Sequence, residues 1–181
     1  LRSLQREIIR KDPLWQNGQY DTMGHGPITG MRLARKLGMI SYRSGQEWAE
    51  RFGRERAPDF TESDTPFGID FEVESYLESH ANRFTGSFDA NCYLYLSRAM
   101  DLFDGFDHGG SLTASFSSLQ LDSAMVIGVG TDILFPLVQQ QALADALAEK
   151  VADVAFVPLD SLQGHDSFLV DMDRFRPAMA A

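Results

Sequence analysis

The sequence contains one cysteine, Cys92, which excludes a disulfide framework within the chain and favours a reducing compartment. It also lacks any apolar run near the roughly 20 residues that a membrane-spanning helix needs. The first residues are charged, with no apolar stretch of the kind found in signal peptides. We therefore expect a cytoplasmic protein with no membrane partner, in which Cys92 is a small buried residue on a helix.

Motifs for metals and cofactors are missing too. The histidines lie far apart, with no H-E-x-x-H pair and no cysteine pair, so we expect no metal site; they are His25, His80, His108 and His165. No glycine-rich loop of the P-loop or dinucleotide type is present, and we expect no bound cofactor.

Basic charge is scarce and unevenly placed. The net charge of −10 argues against nucleic acid as a main partner. Residues 1–56 nevertheless hold 11 of the 16 basic and 6 of the 26 acidic residues, a net charge of +5, whereas the remainder carries −15. This basic segment is either a solvated helical surface that faces an acidic one, or a rim that includes Arg54 and Arg56 and attracts an anionic cosubstrate.

Hydrophobic spacing predicts helices over most of residues 1–120, interrupted by loops at Asn17–Gly30 and Pro58–Gly68. The first helix has no start signal before it, so we expect the interior of a longer protein. Ser44 and Glu47 form a capping-box pattern before a short helix. The helix that begins at Asp89 is so rich in apolar residues that we expect it to be buried on most sides.

The pattern changes after residue 120. The stretches "SAMVIGVG" and "DVAFVPLD" predict two parallel strands covered on both faces, with a helix after Pro136 between them and a last helix over "SFLVDMDRFRPAM". This β-α-β-loop-α order indicates an α/β fold. We predict a mostly helical region over residues 1–120 and part of an α/β core over residues 121–181.

Two polar residues follow the predicted strands. Asp132 comes shortly after the first strand, and His165 lies in the loop after the second. Because functional residues of open α/β sheets gather outside the carboxyl ends of the strands, we expect these loops side by side. An acid followed by a histidine is the closing pair of an α/β-hydrolase triad. The alternatives are an aspartate that caps the helix after Pro136 and a solvated surface histidine.

The nucleophile that such a pair would serve is missing. An α/β-hydrolase carries it earlier in the chain, on a G-x-S-x-G turn between a strand and a helix. Neither "TGSFDA" nor "GGSLTAS" fits that turn, and no oxyanion-hole loop precedes the pair. We therefore expect the chain to hold a base and its orienting acid, but not the group that they activate.

Seven stretches in order along the chain resemble the homoserine O-acetyltransferase family, which includes serine O-succinyltransferases and serine O-acetyltransferases. They are "RSLQREIIRKDPLWQNGQY", "GMRLARKLGMISYRS", "RFGR", "FEVESYL", "FDANCYLYLSRAMDLFD", "TDILFP" and "GHDSFLVD". The resemblance implies the C-terminal half of an α/β-hydrolase fold, with residues 1–120 as a helical lid and 121–181 as the end of the core. The nucleophile and most of the sheet would then lie in an N-terminal half outside this sequence.

The resemblance also implies roles for four residues: Asp132 as the triad acid, His165 as the triad base, Asp166 as the receptor of an amino acid's ammonium group, and Arg6 as the partner of its carboxylate. Physical chemistry agrees, because a guanidinium fork suits a carboxylate and a carboxylate can hold an ammonium beside the base. The alternatives are that Arg6 is a charge on a helix surface and Asp166 the N-cap of the last helix.

The implied activity is ping-pong transfer of an acyl group from acetyl-CoA or succinyl-CoA to the hydroxyl of L-homoserine or L-serine, in methionine or cysteine biosynthesis. The implied partners are the N-terminal half of the same enzyme and a second copy in a homodimer. The phrases at residues 34–48 and 131–141 lie nearest the serine O-succinyltransferase branch. Two other classes stay open: an esterase, which needs no clamp for an ammonium and a carboxylate, and a non-catalytic module that binds a partner.

Overall fold

The computed structural model describes residues 1–21, 26–57 and 67–180, so His25 and most of the predicted loop Pro58–Gly68 lie outside the described residues. In chain order the helices and strands are α1 (Arg2–Lys11), α2 (Ile28–Tyr42), α3 (Gly45–Arg51), α4 (Glu72–Phe84), α5 (Ala90–Leu102), α6 (Leu112–Ser115), β1 (Ser123–Val129), α7 (Leu137–Ala148), β2 (Asp153–Leu159), α8 (Ser167–Val170) and α9 (Met172–Ala180). Short 3-10 turns occupy Pro13–Gly18, Gly105–His108 and Gly164–Asp166.

The chain forms two compact units. Unit 1 comprises Leu1–Ile40 and Ala49–Leu102, and unit 2 comprises Ser41–Trp48 and Phe103–Ala181. Both strands belong to unit 2. The predicted division near residue 120 separated a lid from a core, and that assignment stays a prediction. Hydrophobic spacing did not indicate that Ser41–Trp48 packs with residues that follow it by more than fifty positions.

Unit 1 is built on a close approach of α1 and α2. Its apolar core consists of the buried residues Ile9, Met31, Ala34 and Ala90. A Cβ atom on Gly30 would lie 2.9 Å from the Cα atom of Ile9, so the two helices meet where only glycine fits. Asp12 ends α1 and accepts a hydrogen bond from the Gly30 N–H at 2.7 Å, which joins the end of α1 to the start of α2.

An ion cluster joins α2 to α4 in unit 1. Glu78 of α4 accepts hydrogen bonds from Lys36 and Arg32 of α2. The hydrogen bonds from Lys36 and Arg32 lower the pKa of Glu78 to about 2, although partial desolvation opposes them.

The helix α5 begins as predicted but is more exposed than predicted. The Asp89 carboxylate accepts the Cys92 N–H at 2.9 Å as an N-cap, and it also accepts the Tyr20 hydroxyl at 2.6 Å. The expectation of burial on most sides is wrong, since Leu96 is 56% and Met100 57% exposed. Cys92 is exposed as well, contrary to expectation.

Unit 2 contains a parallel pair of strands. Ser123 lies opposite Asp153 at the start of the pair, and Val129 lies opposite Leu159 at its end. The helix α7 lies directly against β1, because a Cβ on Gly128 would come within 2.7 Å of the α7 side chains. Coverage of both faces is not found among the described residues of this chain, where Met125 of β1 is 41% exposed.

The predicted last helix is divided into α8 and α9 at Asp171. This residue leaves the helical region, with φ −107° and ψ 59°. Its carboxylate accepts a hydrogen bond from the Ser161 hydroxyl at 2.6 Å, which lowers the pKa of Asp171. The break therefore ties the final helices to the loop that follows β2.

Candidate active site

The loops that follow β1 and β2 are joined by backbone and side-chain hydrogen bonds. The Gly130 N–H donates to the Leu159 carbonyl at 3.1 Å, so both strands end at the same edge. The Thr131 hydroxyl then donates to the Ser161 carbonyl at 2.6 Å and accepts the Gly164 N–H at 3.1 Å. One threonine side chain thus fixes the distance between the two loops.

The structure brings Asp132 and His165 together. The His165 Nδ1 atom lies 2.9 Å from the Asp132 Oδ2 atom, and their side chains are 25% and 10% exposed. The other oxygen, Oδ1, accepts the N–H groups of Leu134 and Phe135 at 2.8 and 3.0 Å. The aspartate is therefore held from both sides, and its orientation does not depend on the histidine.

This geometry is suited to general base catalysis. When the carboxylate accepts Nδ1–H, the neutral imidazole carries its lone pair on Nε2, which makes no hydrogen bond within the described part of the chain. The alternative of a solvated histidine does not describe this side chain. The alternative of a capping aspartate is correct in part, because the Asp132 Oδ1 atom accepts the Leu134 and Phe135 N–H groups in the turn before α7.

Aromatic side chains surround the imidazole of His165. Ring centroids of Phe135, Tyr42 and Phe168 lie 5.1, 5.8 and 6.1 Å from that of His165. These rings give the imidazole a partly apolar surrounding, although the His165 side chain stays 25% exposed. The sequence did not indicate this group, because Tyr42 is more than 90 residues from the other two rings.

Asp166 follows His165 directly, and its side chain is partly engaged by a cation. Its Oδ2 atom lies 3.3 Å from the Arg43 Nε atom, and its side chain is 24% exposed. Its side chain makes no capping hydrogen bond at the start of α8, which argues against the alternative of an N-cap. No hydrogen bond to the Oδ1 atom is found among the described residues, so this oxygen can accept one from a cationic ligand.

Arg43 was not singled out from the sequence. Its Nη1 atom donates to the Gln163 Oε1 atom at 2.6 Å and lies 3.6 Å from the Glu47 Oε1 atom. The only signal was the "SYRS" phrase within the family resemblance, which did not point to this side chain.

Ser44 shows how the segment around Arg43 is held. Its hydroxyl donates to the Leu162 carbonyl and accepts the Glu47 N–H at 3.0 Å. The second contact is half of the predicted capping box of α3. Ser44 therefore caps its own helix and also holds the loop that carries His165.

Arg6 lies in unit 1, whereas Asp132, His165 and Asp166 lie in unit 2. Its Nη1 atom donates to the Ser97 hydroxyl at 2.9 Å and pairs with Asp101 at 2.6 Å. It lines a polar cavity of about 510 Å³ in unit 1 together with further basic side chains, namely Arg10, Lys11 and Arg98. This surrounding suits an anionic group, and the predicted contact of Arg6 with a substrate carboxylate stays a prediction.

Neither a metal centre nor a membrane helix is found in the parts of the chain that the structure describes. No group of three or more His, Cys, Asp or Glu side chains in residues 1–21, 26–57 and 67–180 is arranged to hold a metal ion. Over the same residues, every helix is too short or too polar to cross a bilayer.

Comparison with known proteins gives consistent matches along the whole chain, although no protein-family model matches it. The chain is 54% identical over 180 residues to a serine O-succinyltransferase of Stenotrophomonas maltophilia (strain K279a), covering 99% of this chain and 48% of the relative. It is 53% identical over 178 residues to a serine O-succinyltransferase of Xylella fastidiosa (strain M12), covering 98% and 48%. The chain thus spans about half the length of the curated relatives that it matches.

Solved structures show the same relationship at the level of the fold. A homoserine O-acetyltransferase from Bacillus anthracis superimposes with a TM-score of 0.80 at 22% identity, over 98% of this chain and 46% of that one. Esterase E22 superimposes with a TM-score of 0.78 at 22% identity, over 99% and 48%. The curated relatives confirm the resemblance stated from the sequence, and the solved structures show that the chain has part of an α/β-hydrolase fold.

Proposed function

We propose that this chain is part of an amino-acid O-acyltransferase in which Asp132 and His165 are the acid and base of a Ser-Asp-His triad. The hydrogen bond of 2.9 Å between His165 Nδ1 and Asp132 Oδ2 carries the proposal. The aspartate holds the imidazole in the tautomer with Nε2 free and stabilises the imidazolium that forms in catalysis. The serine lies outside this chain, which contains no nucleophile turn of the G-x-S-x-G type.

The reaction is acyl transfer in two steps. In the first, Nε2 of His165 takes the proton of the serine hydroxyl, the serine oxygen bonds to the thioester carbonyl carbon, and the CoA thiol leaves with that proton. In the second, the same nitrogen takes the proton of the acceptor hydroxyl, the acceptor oxygen bonds to the acyl carbon, and the serine recovers its proton. The histidine is therefore needed twice in one cycle.

The acceptor is an amino acid with a hydroxyl group, L-serine or L-homoserine. The Asp166 carboxylate, which follows His165 directly and is 24% exposed, supports a contact with its ammonium group. The contact of Arg6 with its carboxylate is proposed from the family resemblance alone. The names of the relatives favour succinyl-CoA and L-serine over acetyl-CoA and L-homoserine. The product would be an activated amino-acid ester for sulfur amino-acid biosynthesis in the cytoplasm.

The remaining parts of this proposal concern partners. The relatives are about twice as long as this chain, which supports a second half that supplies the serine and further strands. The exposed apolar residues of α5, among them Leu96 and Met100, support a homodimer that covers them.

An esterase is the second candidate, because esterase E22 shares the fold with a TM-score of 0.78. It would use the same triad with water in place of the amino acid. The carboxylate of Asp166 beside the base favours an acceptor with an ammonium group, since water gains nothing from it.

The test is an assay of the full-length protein with succinyl-CoA or acetyl-CoA and L-serine, L-homoserine or no acceptor. We expect release of CoA that depends on the amino acid, and a loss of at least about 10³-fold in kcat for His165→Gln and for Asp132→Asn. Arg174→Gln, at a 53% exposed arginine elsewhere in unit 2, is the control and should keep full activity. CoA release at the same rate without an amino acid would favour the esterase and contradict the transferase.

A further inference from the structure

We propose that Arg43 is a positioning residue that holds the Asp166 carboxylate in place for the ammonium group of the acceptor, and so sets the affinity for that substrate. The inference rests on the proposed function and adds Arg43 to the residues that position the acceptor. Arg43 belongs to the Ser41–Trp48 segment, which packs in unit 2 with the loop that carries the base.

The first argument is that Arg43 contacts Asp166 and Gln163 through two different nitrogen atoms. Its Nε atom lies 3.3 Å from Asp166 Oδ2, while its Nη1 atom donates to Gln163 at 2.6 Å. Because the two contacts use different nitrogens of one rigid plane, Asp166 is fixed relative to the start of its own loop. The other carboxylate oxygen, Oδ1, is left for a ligand.

The second argument is burial. The Arg43 side chain is 14% exposed, and Glu47, 3.6 Å away, is 8% exposed. A guanidinium with so little exposure is stable only when anions and hydrogen-bond acceptors surround it, so these contacts specify its position. Arg43 is therefore a fixed support for Asp166 and not a mobile surface charge.

The third argument is that the backbone of the segment also contacts the loop. Gly164 has φ +66°, and a Cβ there would lie 2.8 Å from the Tyr42 carbonyl oxygen and 3.0 Å from the Arg43 carbonyl carbon. The Ser44 hydroxyl donates to the Leu162 carbonyl. Backbone and side chains of one short segment thus hold the loop on both sides of the base.

These contacts separate the role of Arg43 from that of Asp132. His165 has its own anchor in Asp132, whereas the Arg43 guanidinium contacts the side chains of Asp166 and Gln163. Loss of the guanidinium would release Asp166 and leave the pair of base and acid in place. The effect should therefore fall on the step in which the amino acid binds, and not on acylation of the enzyme by the donor.

The experiment compares the two half-reactions in the full-length protein. For Arg43→Gln we expect the KM for the amino-acid acceptor to rise about tenfold, since a charge-assisted contact contributes about 1.5 kcal/mol. The burst of CoA release from donor alone, which reports acylation, should stay within about twofold. Arg43→Lys should recover part of the KM, because it restores the charge but cannot contact Asp166 and Gln163 together.

The controls decide between positioning and a general structural effect. Thermal midpoints of the full-length protein show whether Arg43→Gln and Arg43→Lys are folded, and Arg174→Gln removes a 53% exposed arginine that pairs with Asp171 in the same unit. An equal loss in both half-reactions would mean that Arg43 acts through the base or the fold, and this would overturn the inference. An unchanged KM for the acceptor would also overturn it, while the proposed function would stand. A wild-type protein without transfer to any amino acid would overturn both.

Discussion

At the scale of single residues, the proximity of Asp132 and His165 could be predicted because each follows the carboxyl end of a predicted parallel strand. Loops at the carboxyl ends of neighbouring strands meet, so an acid after one and a histidine after the next are expected together. Arg43 could not be anticipated in this way. It reaches the site from a segment about 120 residues earlier, and no periodicity or spacing rule connects a turn after one helix to a loop after a distant strand.

Gly164 leads to a prediction about stability at this scale. Gly164→Ala should lower the free energy of unfolding by about 2 kcal/mol or more, because a Cβ meets backbone atoms at 2.8 to 3.0 Å in addition to the cost of a positive φ. Urea unfolding of the chain measures the change.

Gly110→Ala is the matched control for this prediction. Gly110 has φ +80° but nothing within 4 Å of its Cβ position, so it reports the cost of the backbone conformation alone, about 1 kcal/mol. Equal losses for the two variants would contradict the claim that the Arg43 segment packs tightly on Gly164.

At the scale of elements, hydrophobic spacing predicted the order of the longer helices and the strands but not the short α6, and local caps predicted where two helices begin. Asp89 and Ser44 both cap the helices that the sequence assigned to them. The break between α8 and α9 was not predicted, because no glycine or proline marks it. It lies at Asp171, whose carboxylate accepts a hydrogen bond from the Ser161 hydroxyl. The exposure of α5 was missed because composition reports how apolar a helix is, but not whether a partner covers it.

The contact between α2 and α4 leads to a prediction about pH. The pKa of Glu78 is about 2 in the folded state against a reference of 4.5, so its ion pairs stabilise the fold above about pH 4.5. This contribution is lost as the pH falls from about 4.5 towards 2. Glu78→Gln should therefore destabilise the chain by about 1–2 kcal/mol at pH 7, and by progressively less as the pH is lowered to 3.

Urea unfolding at a series of pH values measures this difference between Glu78→Gln and wild type. Glu72→Gln is the matched control, since Glu72 is on the same helix and forms no ion pair within the described residues. A deficit of Glu78→Gln that stays constant from pH 7 to pH 3 would show that the effect is one of packing and not of charge.

At the scale of the whole molecule, the described residues hold a sheet of two strands with an open edge on each side. Parallel strands normally occur in larger sheets that are covered on both faces, and Met125 on β1 is 41% exposed here. The structures that share this fold are about twice as long, as are the curated relatives. The sequence predicted a longer protein through a missing motif, because it offers a candidate base and acid but no G-x-S-x-G turn, and this stays a prediction.

The last prediction concerns the hydroxyl groups of two serines that lie within four residues of His165 in the sequence. Ser161 and Ser167 are fully buried, and their hydroxyls already donate to Asp171 and to the Gly164 carbonyl at 2.6 Å each. Neither is positioned as a nucleophile for His165. A fluorophosphonate, which reacts with serines activated by a triad, should therefore leave the 181-residue chain unlabelled.

In the full-length protein the same reagent should label one serine outside these 181 residues, and prior exposure to acyl-CoA should protect it. His165→Gln should abolish the labelling if, as proposed, His165 is the base that activates this serine. Peptide mapping by mass spectrometry identifies the labelled residue. A label on Ser161, Ser167 or any other serine of the isolated chain would show that the site is complete without a second half, and the assignment of the nucleophile to that half would have to be abandoned.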